Sequence, residues 1–126
     1  LLTMSEILKL KLNADWVVLS ACNTGAADGA GAEAVSGLGR AFFYAGSRAL
    51  LVSMWPVETT SAKKITTGIF RFQKEIPELS RANALRKSIL HLIDKQVLKE
   101  DTSGKTVASY AHPFFWAPFI VVGDGR

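Results

Sequence analysis

The stretch Asp15–Gly25 reads DWVVLSACNTG. Trp16, Val17, Val18 and Leu19 make a short apolar run of strand-favouring residues, long enough for one buried strand. The run stops at the small residues Ser20 and Ala21, and Cys22, the one cysteine of the chain, follows. A glycine-rich segment (NTGAADGAGAE) then leads into a helical pattern near Glu33. Open α/β sheets hold ligands outside the carboxyl ends of their strands, so a reactive side chain at such a place reads as a site. A buried, inert thiol is the competing reading of Cys22, and position alone does not separate the two.

Working outward, residues Thr3–Leu12 (TMSEILKLKL) read as a short helix, with Ser5 as a candidate cap, passing into an extended lead-in. Asn13, Ala14 and Asp15 turn the chain into the buried strand. Beyond Cys22, Val35, Leu38, Phe42 and Ala45 recur at helical spacing, which predicts a helix over about Ala32 to Ala45 with one apolar face. Gly37 and Gly39 inside it point to a close approach of its backbone to a sheet, and Gly46 suits the residue after a helix end. Ala49–Met54 (ALLVSM) is a second buried strand, ended by Pro56. Strand, loop, helix and strand in this order form a βαβ unit with parallel strands.

Thr59, Thr60 and Ser61 are candidate caps for a second helix carrying Ile65, Ile69, Phe72 and Ile76, broken by Pro77. Ser80 caps a third, with Leu85, Ile89, Leu92, Ile93 and Gln96 along one side and Arg81, Lys87 and Asp94 facing water. Glu100–Ser109 (EDTSGKTVAS) reads as a polar loop, and Phe119–Val122 as a last strand.

The composition is that of one folded domain: 126 residues, 48% apolar and 21% charged. One cysteine permits no internal disulfide, so a cytoplasmic location is the default. No apolar run approaches the ~18 residues of a membrane span, and no signal peptide precedes the first helix. The chain opens on Leu1 and reads as a piece of something longer. A net charge of +4 raises nucleic acid as a partner, but the fifteen Lys and Arg residues are scattered, which favours solvated helix faces. A phosphate-binding domain built on the glycine-rich loop is weakened because that loop holds neither GK[ST] nor GxGxxG. No metal or cofactor is implied.

Three blocks carry a resemblance: ADWVVLSACNTG (Ala14–Gly25), GLGRAFFYAGSRALLVSMWPVE (Gly37–Glu58) and YAHPFFWAPFIVVGDG (Tyr110–Gly125). In order and spacing they resemble the CHAT domain, a branch of the caspase- and separase-like cysteine peptidases of clan CD. The resemblance implies a three-layer α/β/α sandwich on a six-stranded sheet of order 2-1-3-4-5-6 with its last strand antiparallel. Residues 1–126 would be its C-terminal half, a single domain shortened at its N-terminal side, with the three strands above as strands four, five and six. By the same resemblance Cys22 is the nucleophile, and Ser53, Met54 and Trp55 at the exit of strand five bind an extended peptide substrate.

A thiol of pKa about 8.5 needs a base beside it to work at neutral pH. His91 lies in a helix between apolar positions and reads as a packing or surface residue. His112 precedes strand six, two strand spacings (roughly 10 Å) from Cys22, and suits a pocket wall better than a proton acceptor. The family places its base upstream of the cysteine block, and the first 21 residues hold no histidine. Trp55 reads as either a pocket wall or a buried indole; Phe114, Phe115 and Trp116 read as core, and Asp28 and Glu33 as helix-start charges.

The expectation is therefore part of a cysteine endopeptidase that is inactive alone. Its partners would be a protein or peptide substrate, the upstream half of the same domain, and tetratricopeptide repeats. A non-catalytic interaction or scaffold module is the alternative.

Overall fold

The computed structural model describes residues 3–19, 31–95, 98–100 and 102–126. The chain divides into two compact units, one of residues 1–56 and 120–124, the other of 57–119 and 125–126.

The first unit is built on a three-stranded sheet. Val17–Leu19 (β1) pairs in parallel with Ala49–Ser53 (β2), with Val17 opposite Leu50, Val18 opposite Leu51 and Leu19 opposite Val52. Phe119–Gly123 (β5) pairs on the other side of β2, giving the order β1-β2-β5. The Asp124 N–H, just past the end of β5, donates to the Arg48 carbonyl just before β2 at 3.0 Å, so β5 runs antiparallel and the sheet is mixed. β2 therefore lies between the other two strands, and its parallel pairing with β1 is what the βαβ reading requires.

Parallel strands need a crossover, supplied by Gly31–Tyr44 (α2). Phe42 and Ala45 pack with Ile7, Ala41, Leu50 and Val52 in one buried cluster, joined at its margin by Leu12, Val17, Leu19, Leu38 and Phe43. Gly39 serves the predicted close approach, since a β-carbon there would stand 3.3 Å from Leu50 Cδ1. Gly37 has a different neighbour: its β-carbon would meet Met4 Cε at 3.0 Å.

The end of α2 is a Schellman motif. The Ser47 N–H reaches the Phe42 carbonyl and the Gly46 N–H the Phe43 carbonyl, both at 3.0 Å. Gly46 takes φ +103°, and a β-carbon there would collide with the Leu12 carbonyl. Leu12 in turn donates to Ala45 at 2.6 Å, so the lead-in to β1 is tied to the end of α2.

Met4–Ile7 (α1) is the predicted short helix, but its cap is Thr3 rather than Ser5. The Glu6 N–H donates to Thr3 Oγ1 at 3.4 Å while the Thr3 N–H donates to Glu6 Oε2 at 2.7 Å, a capping box that Ser5 cannot make with Glu6 next to it.

The second unit is centred on a helical hairpin, Thr59–Glu75 (α3) and Arg81–Asp94 (α4). Ser80 caps α4 as predicted, accepting from the Asn83 N–H at 3.3 Å. The cap of α3 is Glu58, not Thr59, Thr60 or Ser61. Its carboxylate accepts from the Ser61 N–H at 2.8 Å, and the Ser61 hydroxyl donates back to the Glu58 carbonyl at 2.8 Å. Ile65, Ile69, Ala84, Leu85 and Leu92 are buried. Gly68 lets the helices close up, because a β-carbon there would run into Ser88, whose hydroxyl donates to the Ile65 carbonyl at 2.8 Å.

Three further expectations are corrected here. Arg81 does not face water: it is buried and donates to the Arg126 carbonyl at 2.6 Å. The expected polar loop is an antiparallel hairpin of Leu98–Glu100 (β3) and Thr106–Ser109 (β4), turning through Gly104 at φ +82°. Of the three aromatics ahead of β5, Phe115 is buried, Trp116 half-buried and Phe114 exposed. Gln96 lies outside the described residues.

Two predictions follow from this local geometry. Gly46→Ala should lower the unfolding free energy by about 1–3 kcal/mol with an unchanged urea m-value, through left-handed strain and the clash with Leu12. The hydrogen bonds from Thr3, backbone first and side chain second, hold the Glu6 carboxyl below its ordinary value of 4.5. Because its folded pKa is the lower one, its contribution is present above the unfolded value and is lost as pH falls through the folded one. The protection factor of the Thr3 amide, taken relative to its intrinsic exchange rate at each pH, should therefore fall in acid, and Glu6→Gln should remove that acid-side step.

Candidate functional site

The carboxyl ends of β1 and β2 lie side by side, because parallel pairing sets Leu19 opposite Val52, one residue before Ser53. Cys22, three residues past Leu19 in the sequence, lies outside the described residues, as do Asp28 and the glycine-rich loop. The expected place of Cys22 at the end of its strand is thus not described.

Ser53, Met54 and Trp55 are all described. Ser53 is the last residue of β2 and is buried at 4% exposure. Its hydroxyl has no hydrogen-bond partner among the described residues. A buried hydroxyl left unpaired costs on the order of 1–3 kcal/mol, so one without a partner among the described residues is notable at a strand exit. Met54 and Trp55 turn outward, 56% and 40% exposed. The indole of Trp55 is therefore not a buried plug of the sheet. Main chain with one buried hydroxyl and two large exposed apolar side chains is suited to holding an extended peptide and a side chain beside it.

Each histidine has a local contact of its own. His112 caps the short 3-10 turn Pro113–Phe115, its Nδ1 accepting from the Phe114 N–H at 3.2 Å. Trp116 fixes the same turn, donating from Nε1 to the Ala111 carbonyl at 3.0 Å. Tyr110, behind it, is buried edge-on to Phe115 at 4.9 Å and donates to Glu58 Oε1 at 3.4 Å. His91 is on the exposed side of α4, edge-on to Phe72 with ring centres 5.8 Å apart. Its surface reading holds.

No group of three or more His, Cys, Asp or Glu side chains able to hold a metal ion is present among the described residues. No helix among them is long and apolar enough to cross a membrane. The sequence reading missed a groove between α3 and α4 where Lys64, Arg71 and His91 meet. Its signal was the spacing Lys64, Thr67, Gly68, Arg71, which puts those residues on one helix face.

Removing the orphan hydroxyl tests its character. Ser53→Ala should leave the fold as stable or more stable by up to about 1–3 kcal/mol in urea denaturation, whereas a satisfied buried hydroxyl would lose stability.

Comparison with known proteins adds the following. The family model for the CHAT domain matches residues 1–124. Tetratricopeptide repeat protein 28 of mouse is 30% identical over 125 residues, 98% of this chain. Its human counterpart is 30% identical over 124 residues, again 98% of the chain. The chain spans about 4% of the length of each. No solved structure matches it.

Proposed function

The chain belongs to the CHAT domain family, and from that premise we propose that residues 1–126 are the C-terminal part of one caspase-like cysteine endopeptidase domain. The observation that carries the reading is the parallel β1–β2 pair, which sets the strand leading to Cys22 beside the exit where Ser53, Met54 and Trp55 stand. The family match runs through both compact units, which supports treating them as one domain. β1, β2 and β5 would be strands four, five and six of its sandwich.

In the proposed mechanism the Cys22 thiolate attacks the scissile carbonyl of a bound peptide, and the Cys22 N–H donates to the oxyanion that forms. The main chain at Ser53–Trp55 pairs with the substrate as an added strand, and Trp55 flanks one of its side chains. Collapse of the tetrahedral adduct releases the amine, which needs a proton, and leaves a thioester for water to hydrolyse. The proton carrier is a histidine outside residues 1–126, since Nδ1 of His112 is engaged in its turn and His91 lies against Phe72. Tetratricopeptide repeats in the same polypeptide, suggested by the names of the relatives, would receive the activating partner. A cytoplasmic setting fits a chain that makes no internal disulfide.

One observation favours a second reading, a non-catalytic interaction module: each of the two histidines already has a local structural role. The experiment compares residues 1–126 with the longer polypeptide that contains them. Alone, the chain should cleave no peptide, and its Cys22 should alkylate with a midpoint near the free-thiol value of about 8.5. In the longer protein the midpoint should fall and peptide cleavage should appear, abolished by Cys22→Ala. A midpoint that stays at the free value, with no cleavage by the longer protein, selects the interaction module.

A further inference from the structure

We propose that the groove between α3 and α4 is a binding site for a phosphate monoester, independent of the chemistry of Cys22. The groove encloses about 460 Å³. Lys64 and Arg71 line it from α3 and His91 from α4, and no aspartate or glutamate is among its lining residues.

Several features of this wall favour an oxyanion. Arg71 and Lys87 both stand over the Phe72 ring, at 4.8 Å and 5.5 Å from its centre, with His91 edge-on to the same ring. Two cations gathered at one ring repel each other, and the ring's own electron density offsets part of this locally. The Glu75 carboxylate meets Arg71 at Nε, 3.9 Å away, with both side chains about half exposed. A pair of that length and exposure contributes little. The hydroxyl protons of Thr67 and Ser88 are directed to the Lys63 and Ile65 carbonyls at 2.7 and 2.8 Å. Positive charge on the groove lining therefore comes from the Lys64 ammonium and the Arg71 fork, one a point charge and the other a planar bidentate donor. A phosphate monoester carries about −1.5 to −2 charges at neutral pH, which matches two full cations.

The rest of the groove argues for an ester with an organic group. Gly68 and Leu92, both buried, add lining that is apolar and without a side-chain donor. The groove volume exceeds what one tetrahedral anion fills, leaving room for the esterified group over Leu92. Nucleic acid fits less well. Single strands are held by bases stacked on open aromatic faces, and the Phe72 face is covered by Arg71 and Lys87.

The test is calorimetric titration of the 126-residue chain with O-phosphoserine, a phosphoserine peptide, the same peptide unphosphorylated, and single-stranded DNA. Saturable binding of O-phosphoserine, the phosphopeptide or both, with none of the unphosphorylated peptide, is expected. Affinity for the phosphopeptide at least tenfold above that for O-phosphoserine identifies a peptide-borne ester; equal affinities identify a small-molecule ester. The double variant Lys64→Gln, Arg71→Gln should weaken binding at least tenfold, and Lys9→Gln, in the other compact unit, by less than twofold. Arg71→Lys keeps the charge without the fork and should lie between wild type and the double variant. The proposal is overturned if neither phosphate ligand saturates, if the double variant binds as wild type does, or if DNA binds more tightly than either phosphate ligand.

Discussion

Everything in the first unit depends on β2 being buried along its whole length and paired on both sides. A strand in that position must satisfy its backbone on both edges and present apolar side chains to both faces. Ala49, Leu50, Leu51 and Val52 do so, each exposed by 3% or less. Its parallel partner β1 can be reached only through a crossover, which makes α2 necessary and fixes where it must stop. The stop is Gly46. From there the chain is fastened: Leu12 bonds to Ala45, Ala14 bridges Ser47, and the Arg48 N–H reaches the Ala14 carbonyl at 2.9 Å. The Arg48–Asp15 ion pair at 2.7 Å decorates this end but is well exposed on both sides and adds little. The entry ends of β1 and β2 are thus held by backbone, and the exit ends are where the candidate chemistry stands.

Elements governed by local periodicity were legible. Val17–Leu19 and Ala49–Ser53 are apolar runs of strand length, and the spacing of Leu38, Phe42 and Ala45 predicts a face that does pack. What escaped had a cause at longer range. Ser5, Thr59, Thr60 and Ser61 have cap-forming side chains, but a cap is set by which residue is extended just before the helix, and Thr3 and Glu58 occupy those places. Arg81 is charged and so expected in water; its partner is the last residue of the chain. The hairpin at Leu98–Ser109 has polar strands, so no apolar alternation advertises it, and the Gly104 turn was the one local sign.

The site was legible by type of residue and illegible by state. Sequence places Ser53, Met54 and Trp55 at a strand exit; only coordinates distinguish a buried hydroxyl, without a partner among the described residues, from two exposed apolar side chains. The α3–α4 groove was hidden for a different reason. Arg71 and His91 are twenty positions apart, and a scatter of basic residues along two helices becomes one wall only when Gly68 and Ser88 bring the helices together. Linear charge patterning measures runs, and this wall contains none.

Histidine chemistry shows how local folding and catalysis compete for the same atoms. Nδ1 of His112 accepts the Phe114 N–H, in a turn that also fixes Trp116. Turning that ring toward a thiol would give up the cap and leave a backbone donor unpaired, at a cost of about 1 kcal/mol or more. His91 has its edge contact with Phe72 and lines the α3–α4 groove. In the proposed enzyme the base would come with additional chain. β1 is an edge strand among the described residues, with Val18 exposed, and its unpaired side is where further chain would add to the sheet. Completion of the sheet and completion of the catalytic pair would then be one event, and an unfinished domain would be kept inactive by its own topology.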